Sequence, residues 1–199
     1  MGVDLNTLIA DWSWLAEAPP RERLPRLRDA WYDEATGLWD HDGPDDGWEW
    51  PRGPHSTHFG VYEFPGTMGS YKPHFWAGQL WEKARDHVDT AVRAELDTLL
   101  GGLFWDGPDY DDEGPDEGRD FFPGSHGLLV AESPEGVREL LATWERVRPR
   151  LDELRAPFDE HSMEFRFSDF DSFVRLLADW GDVLAEAARR GWGIAGLSE

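Results

Sequence analysis

The sequence predicts an α+β fold, predominantly helical with a small β-sheet and two acidic irregular segments. Three observations predict it. Apolar residues recur at helical spacing over long stretches, above all Val137 to Leu154 and Phe173 to Ala187. Three short runs, Thr57 to Phe64, Gly127 to Ala131 and Met163 to Phe167, have the length and composition of strands. Two further segments, Asp33 to Trp50 and Asp106 to Asp120, are dominated by carboxylates, glycine and proline and read as neither helix nor strand.

In chain order, Asp4 or Asn6 caps a first helix on the spacing of Leu5, Leu8, Ile9, Trp12 and Leu15, and Pro19-Pro20 ends it. A short second helix runs from about Pro20 to Asp33, with Leu24, Leu27 and Trp31 inward and arginines at 21, 23, 26 and 28. The Thr57 to Phe64 strand closes on the Pro65-Gly66 turn. Helical spacing returns between Pro73 and Leu100, as one bent helix or two, and Gly101-Gly102 terminate it. Gly127 to Ala131 reads as a buried strand, after which Ser133 and Pro134 form a cap and first turn; Pro149 breaks or kinks the helix that follows. Met163, Phe165 and Phe167 alternate with Glu164 and Arg166, as on a strand with one covered face. Ser168 or Asp169 caps the last helix, which runs to Gly191, and Trp192 and Ile194 return as a small strand or pack as a tail. At 199 residues the chain is expected to be a single domain over 1–199, with 106–124 as a candidate lobe boundary.

The charge is concentrated. Asp33 to Trp50 holds seven carboxylates and no Lys or Arg, and Asp106 to Asp120 holds eight against one Arg, together minus fourteen of a net minus twenty-two. Like charge so gathered opposes compaction unless something cationic compensates it or it stays in water. The Arg21 to Arg28 cluster, directly before the first acidic segment, is a candidate for internal compensation. Nucleic acid is disfavoured as a direct partner, because its phosphates meet a repulsive average field. With no cysteine, disulfides, thiolate catalysis and Cys-based metal sites are excluded. No apolar run approaches the roughly eighteen residues of a membrane span, and the N-terminus lacks a signal-peptide pattern, so a cytoplasmic protein without membrane contact is expected. The twelve tryptophans are spread along the chain, which suits core packing better than a single ligand cage.

Asp109, Asp111, Glu113, Glu117 and Asp120 fall at positions 1, 3, 5, 9 and 12 of a twelve-residue calcium loop, with Gly114 at the turn position. The resemblance to an EF-hand loop ends there. Position 12 is Asp rather than the longer bidentate Glu, Asp116 replaces the apolar residue at position 8, and no convincing exiting helix or second loop follows. His55 and His58 are an alternative metal pair, with His74 a candidate neighbour, but no HExxH helix accompanies them. Ser125-His126 is adjacency without a positioned acid, and no nucleophile elbow, phosphate loop or dinucleotide glycine pattern is present.

The reading that follows is a non-enzymatic protein-binding module for a cationic protein, with no cofactor. Asp42, Asp45, Asp46 and Glu49 supply charge that steers encounter, while Trp48, Trp50, Trp105 and Tyr110 supply exposed aromatic anchors. Its composition resembles, in general terms only, that of some bacterial toxin-immunity proteins, which suggests an inhibitor or immunity-type partner. The alternatives are a calcium-binding protein through 109–120, an enzyme whose site carries no recognisable signature, and a structural protein with solvated acidic loops.

Overall fold

The computed structural model describes residues 3–38, 47–107, 117–124, 126–161 and 169–198. Its first element differs from the expected helix: Asn6–Ala10 is a strand, β1, and only then does the short helix α1, Trp12–Ala16, begin. The cap is Asp11 rather than Asp4 or Asn6; its Oδ1 accepts from the Ser13 and Trp14 amides at 2.8 and 3.3 Å. The physical reason for the misreading is burial on both faces. Thr7 to Ala10 are all buried, so apolar residues occupy both parities of the strand and periodicity loses its meaning.

A 3₁₀ turn, Pro20–Glu22, leads into α2, Arg23–Trp31. The first acidic segment is not irregular throughout. Asp33 caps a 3₁₀ turn, Glu34–Thr36, by accepting from the Ala35 amide at 2.9 Å, and Trp48–Glu49 forms the short strand β2. The next strand, β3, is Phe59–Tyr62. The interval from Pro73 to Leu100 resolves into two helices, α3, Lys72–Ala84, and α4, Thr90–Gly101. Val88 turns extended between them, and Asp89 caps α4 through the Ala91 and Val92 amides. The second acidic segment ends in a short helix, α5, Glu117–Phe121.

Thereafter sequence and structure agree closely. The strand β4, Leu128–Glu132, precedes α6, Pro134–Val147, whose first turn is capped by Ser133 Oγ accepting from the Gly136 amide at 3.0 Å. Pro149 lies in a 3₁₀ stretch, Arg148–Leu154, that hands over to α7, Arg155–His161. Asp169 caps α8, Phe170–Arg190, at 2.7 Å from the Ser172 amide, and Gly191 ends it in the left-handed conformation at φ 69°. The last strand is β5, Gly193–Leu197. The expected strand over Met163 to Phe167 lies outside the described residues. No helix among the described residues is long and apolar enough to cross a membrane.

The five strands form one antiparallel sheet in the order β2-β3-β1-β5-β4. Its central strand is β1, flanked by β3 and β5, and the last strand, β5, is buried along its whole length. Leu8 stands opposite both Val61 and Ala195, and this parity, with Ala10, Phe59 and Leu197, faces α1 and α2. The other parity, with Leu5, Ile9, Tyr62, Val130 and Ile194, meets a larger core from α3, α4, α6, α7 and α8. The architecture is thus α+β, with helices on both faces of a small sheet. Strands from both sides of 106–124 share it. Two sheet glycines admit indoles: the Trp50 ring occupies the space a Cβ on Gly60 would need, and the Trp12 ring does the same at Gly193.

Candidate protein-binding site

The aromatic anchors named from the sequence are largely engaged within the fold. Trp105 is buried, its indole N–H donating to Glu82 Oε1 at 3.0 Å, so it is a core residue and not an exposed anchor. Trp48 and Trp50 are half-buried, stacked on each other at 5.0 Å, with Trp48 edge-on to Tyr62 and the Arg190 guanidinium 4.0 Å above the Trp50 ring. Glu49 is half-buried beside them. Of the remaining named residues, Asp42, Asp45, Asp46 and Tyr110 lie outside the described residues. So do Asp109, Asp111 and Glu113 of the calcium spacing; Glu117 begins α5, and Asp120 is exposed on it.

His55 and His58 both pack against Trp14, and His74 does not join them. His55 Nε2 meets Asp33 Oδ2 at 3.2 Å, while His58 stacks flat on Trp14 at 4.8 Å. His74 belongs to the other face of the sheet, enclosed by Phe64, Tyr71, Phe104 and Trp180 at ring separations of 4.7 to 5.9 Å. Neither of its ring nitrogens has a hydrogen-bond partner, and burial lowers its pKa to about 3. Among the described residues no group of three or more His, Asp or Glu side chains is placed to hold a metal ion.

Among the described residues, the Arg21 to Arg28 cluster meets backbone carbonyls, aromatic rings and one carboxylate. Arg23 and Arg28 donate to the backbone carbonyls of Phe121 and His126, at 3.1 and 3.2 Å, and Arg23 also lies over the Phe121 ring. Arg26 pairs with Glu17 at 2.8 Å and covers Trp14. These arginines thus tie α2 to α1 and to the end of the second acidic segment. Elsewhere the pairs are also local: Arg85 with Asp97, Arg146 with Glu95, Arg150 with Asp89 and Glu153, Arg155 with Asp171, and Arg189 and Arg190 with Glu186. Each pair removes one charge of each sign and leaves the excess of carboxylates untouched.

An accessible feature of a different kind lies between α3 and α8. A cleft of about 280 Å³ is walled by Pro65, Pro73, Trp76, Leu80, Phe173 and Leu176. Asp179 and Arg175 also line it, one turn apart on α8. The Asp179 carboxyl is half-buried, accepts from the Tyr62 hydroxyl at 3.3 Å, and has its pKa raised, first by burial and also by Asp182. Arg175 is exposed, and its charge acts on the Asp179 carboxyl in the opposite, lowering direction, as the weakest of these influences.

Around the same loop stand exposed apolar side chains. Met68 is 91% exposed at φ 54°, between Gly66 and Gly69, while Val3 and Phe75 are 46% and 53% exposed. Backbone bonds join their segments: Leu5 N–H to Gly69 O, Tyr71 N–H to Val3 O, and Phe75 N–H to Tyr71 O. A left-handed methionine at a loop tip is costly in both backbone and solvation. The sequence signals for this region were weak: PGTMG reads only as a turn, and Asp179 sits three residues after Leu176 and beside Trp180, at the margin of α8's apolar stripe. Comparison with protein-family models, curated proteins and solved structures gave no match to this chain, so the site is read from its own geometry.

Proposed function

We propose that the chain is a non-enzymatic protein-binding module whose partner is a cationic protein, in the manner of an inhibitor or immunity-type protein. The observation that carries this reading is the exposed Val3, Met68 and Phe75 on backbone segments bonded to one another. They belong to a chain with 41 carboxylates against 19 Lys and Arg residues. Even with every basic side chain paired internally, 22 carboxylates exceed the available cations, since the net charge is minus twenty-two. That field accelerates encounter with a basic surface, and the apolar side chains supply contact area that charge lacks.

The test is affinity capture followed by titration calorimetry on the purified partner. A basic protein is expected, bound more weakly at high salt and more weakly by Met68→Ser and Phe75→Ser, whose exposed positions spare the core. A bound protein indifferent to salt and to both substitutions, or no reproducible partner, would overturn the reading.

A further inference from the structure

We infer that the cleft between α3 and α8 is a receiving slot for one arginine side chain of the partner, with the Asp179 carboxylate as its charged end. The inference deepens the proposed function and rests on it. An arginine has two parts to place: an aliphatic stem that gains from apolar contact and a planar guanidinium that needs a carboxylate. The cleft offers both, with Trp76, Leu80, Phe173 and Leu176 as walls and Asp179 among them. Trp76 is half-buried and already engages a cation, with the Lys72 ammonium 4.6 Å from its ring centroid.

The electrostatic state of Asp179 favours a cation. Its oxygen accepts from the Tyr62 hydroxyl, a neutral donor that adds no opposite charge. Asp182, one helical step further on, adds negative potential. Among the described residues, Arg175 is the one basic side chain lining the cleft; its charge lowers the Asp179 pKa, the weakest of the named influences. Burial therefore disfavours the ionised carboxylate more than its surroundings relieve it, and an incoming guanidinium supplies the missing opposite charge. By contrast, exposed carboxylates elsewhere on the chain, such as Glu17, Glu153 and Asp171, already hold arginines of the chain itself.

The Arg175 variant separates this slot from a site for an anion or a zwitterion, in which Arg175 would hold the ligand instead of opposing it. Asp179 attracts the ligand and Arg175 opposes it. N-acetyl-arginine amide is the probe, titrated into the full chain while the Trp76 indole and the Asp179 carboxyl carbon are followed by NMR. Saturable shifts at both are expected, with the Asp179 pKa falling on binding. The citrulline analogue, which has the same shape without the charge, should produce no saturation. Asp179→Asn should weaken binding roughly tenfold, the scale for truncating one partner of a partly desolvated charge pair. Arg175→Gln should tighten it.

Equal binding of the citrulline analogue, an undiminished Asp179→Asn variant, or weaker binding by Arg175→Gln would each overturn the slot. Failure here is separable from failure of the proposed function. The latter is judged by a partner's salt dependence and its sensitivity to Met68 and Phe75, neither of which contributes to the slot's lining.

Discussion

Replacing His74 by leucine should flatten the acid limb of the stability curve. The imidazole is enclosed by four aromatic rings, neither nitrogen is hydrogen-bonded, and burial holds its pKa at about 3 against an ordinary 6.5. A histidine whose folded value is depressed is neutral in the native state while the unfolded chain takes up a proton. Its contribution to stability is intact above about pH 6.5 and falls as pH drops towards 3. Linkage gives a loss of about 2 kcal/mol between pH 7.5 and 5, and about 3 kcal/mol by pH 4. The surrounding groups do not obscure this window. Tyr71, beside the ring, has its phenol pushed up to about 12 by burial and then by Asp106, so it stays neutral throughout. Asp179, from α8 next to Trp180, has a raised pKa, so it favours the fold as pH falls, with the opposite sign and equally in both proteins. Urea unfolding at intervals from pH 7.5 to 4 measures the difference directly. The wild type should lose the stated amount relative to His74→Leu, whatever the variant's stability at pH 7.5. Parallel pH profiles for the two proteins would refute the reasoning and place the ring in contact with something that solvates its charge.

Gly60→Ala puts a methyl group where the Trp50 ring lies, so it should cost about 1–3 kcal/mol by urea unfolding, the range for overpacking. A shift in tryptophan emission should accompany it as the Trp48 and Trp50 stack opens; neither change would indicate that Trp50 moves aside freely. Glu186 is drawn down to about 2, mainly by hydrogen bonding from Arg189 and also from Arg190. A depressed carboxyl contributes above its ordinary value and loses that contribution as pH falls from about 4.5 towards 2. Because Arg189 is exposed and Glu186 itself only partly covered, Glu186→Gln should cost about 1 kcal/mol or less at pH 7. Thermal melts should show a smaller difference at pH 3.

Those elements with one wet face were legible in the sequence. The final helix, α8, was recovered from Asp169 to Gly191 because its apolar stripe, cap and terminating glycine agree with one another. The same consistency located Ser133 at the head of α6. β1 was misread for the converse reason: a strand in the middle of a sheet with helices on both sides has no polar face to reveal its period. The Trp48-Trp50 pair was legible as an aromatic cluster but not as a covered one. Its cover comes from Gly60, twelve and ten residues away, and from Arg190 at the far end of the chain. Asp179 was illegible as a site residue among forty-one carboxylates, because what distinguishes it is burial against α3 and the Tyr62 hydroxyl, both set by tertiary packing.

That distinction bears on how the charge and the cleft divide the work of recognition. Exposed carboxylates act over roughly a Debye length, about 8 Å at physiological salt, and their sum determines how fast a basic partner is drawn in. They hold it in no particular orientation. A half-buried carboxylate at the end of an apolar slot is screened less by salt and accepts a guanidinium from few directions. Association should therefore depend on the chain's net charge and on ionic strength, while dissociation depends on Asp179 and the exposed residues near it. On this view the numerous acidic residues and the single enclosed one contribute to different steps. Neutralising several exposed carboxylates should slow binding without shortening the life of the complex, whereas Asp179→Asn should do the reverse.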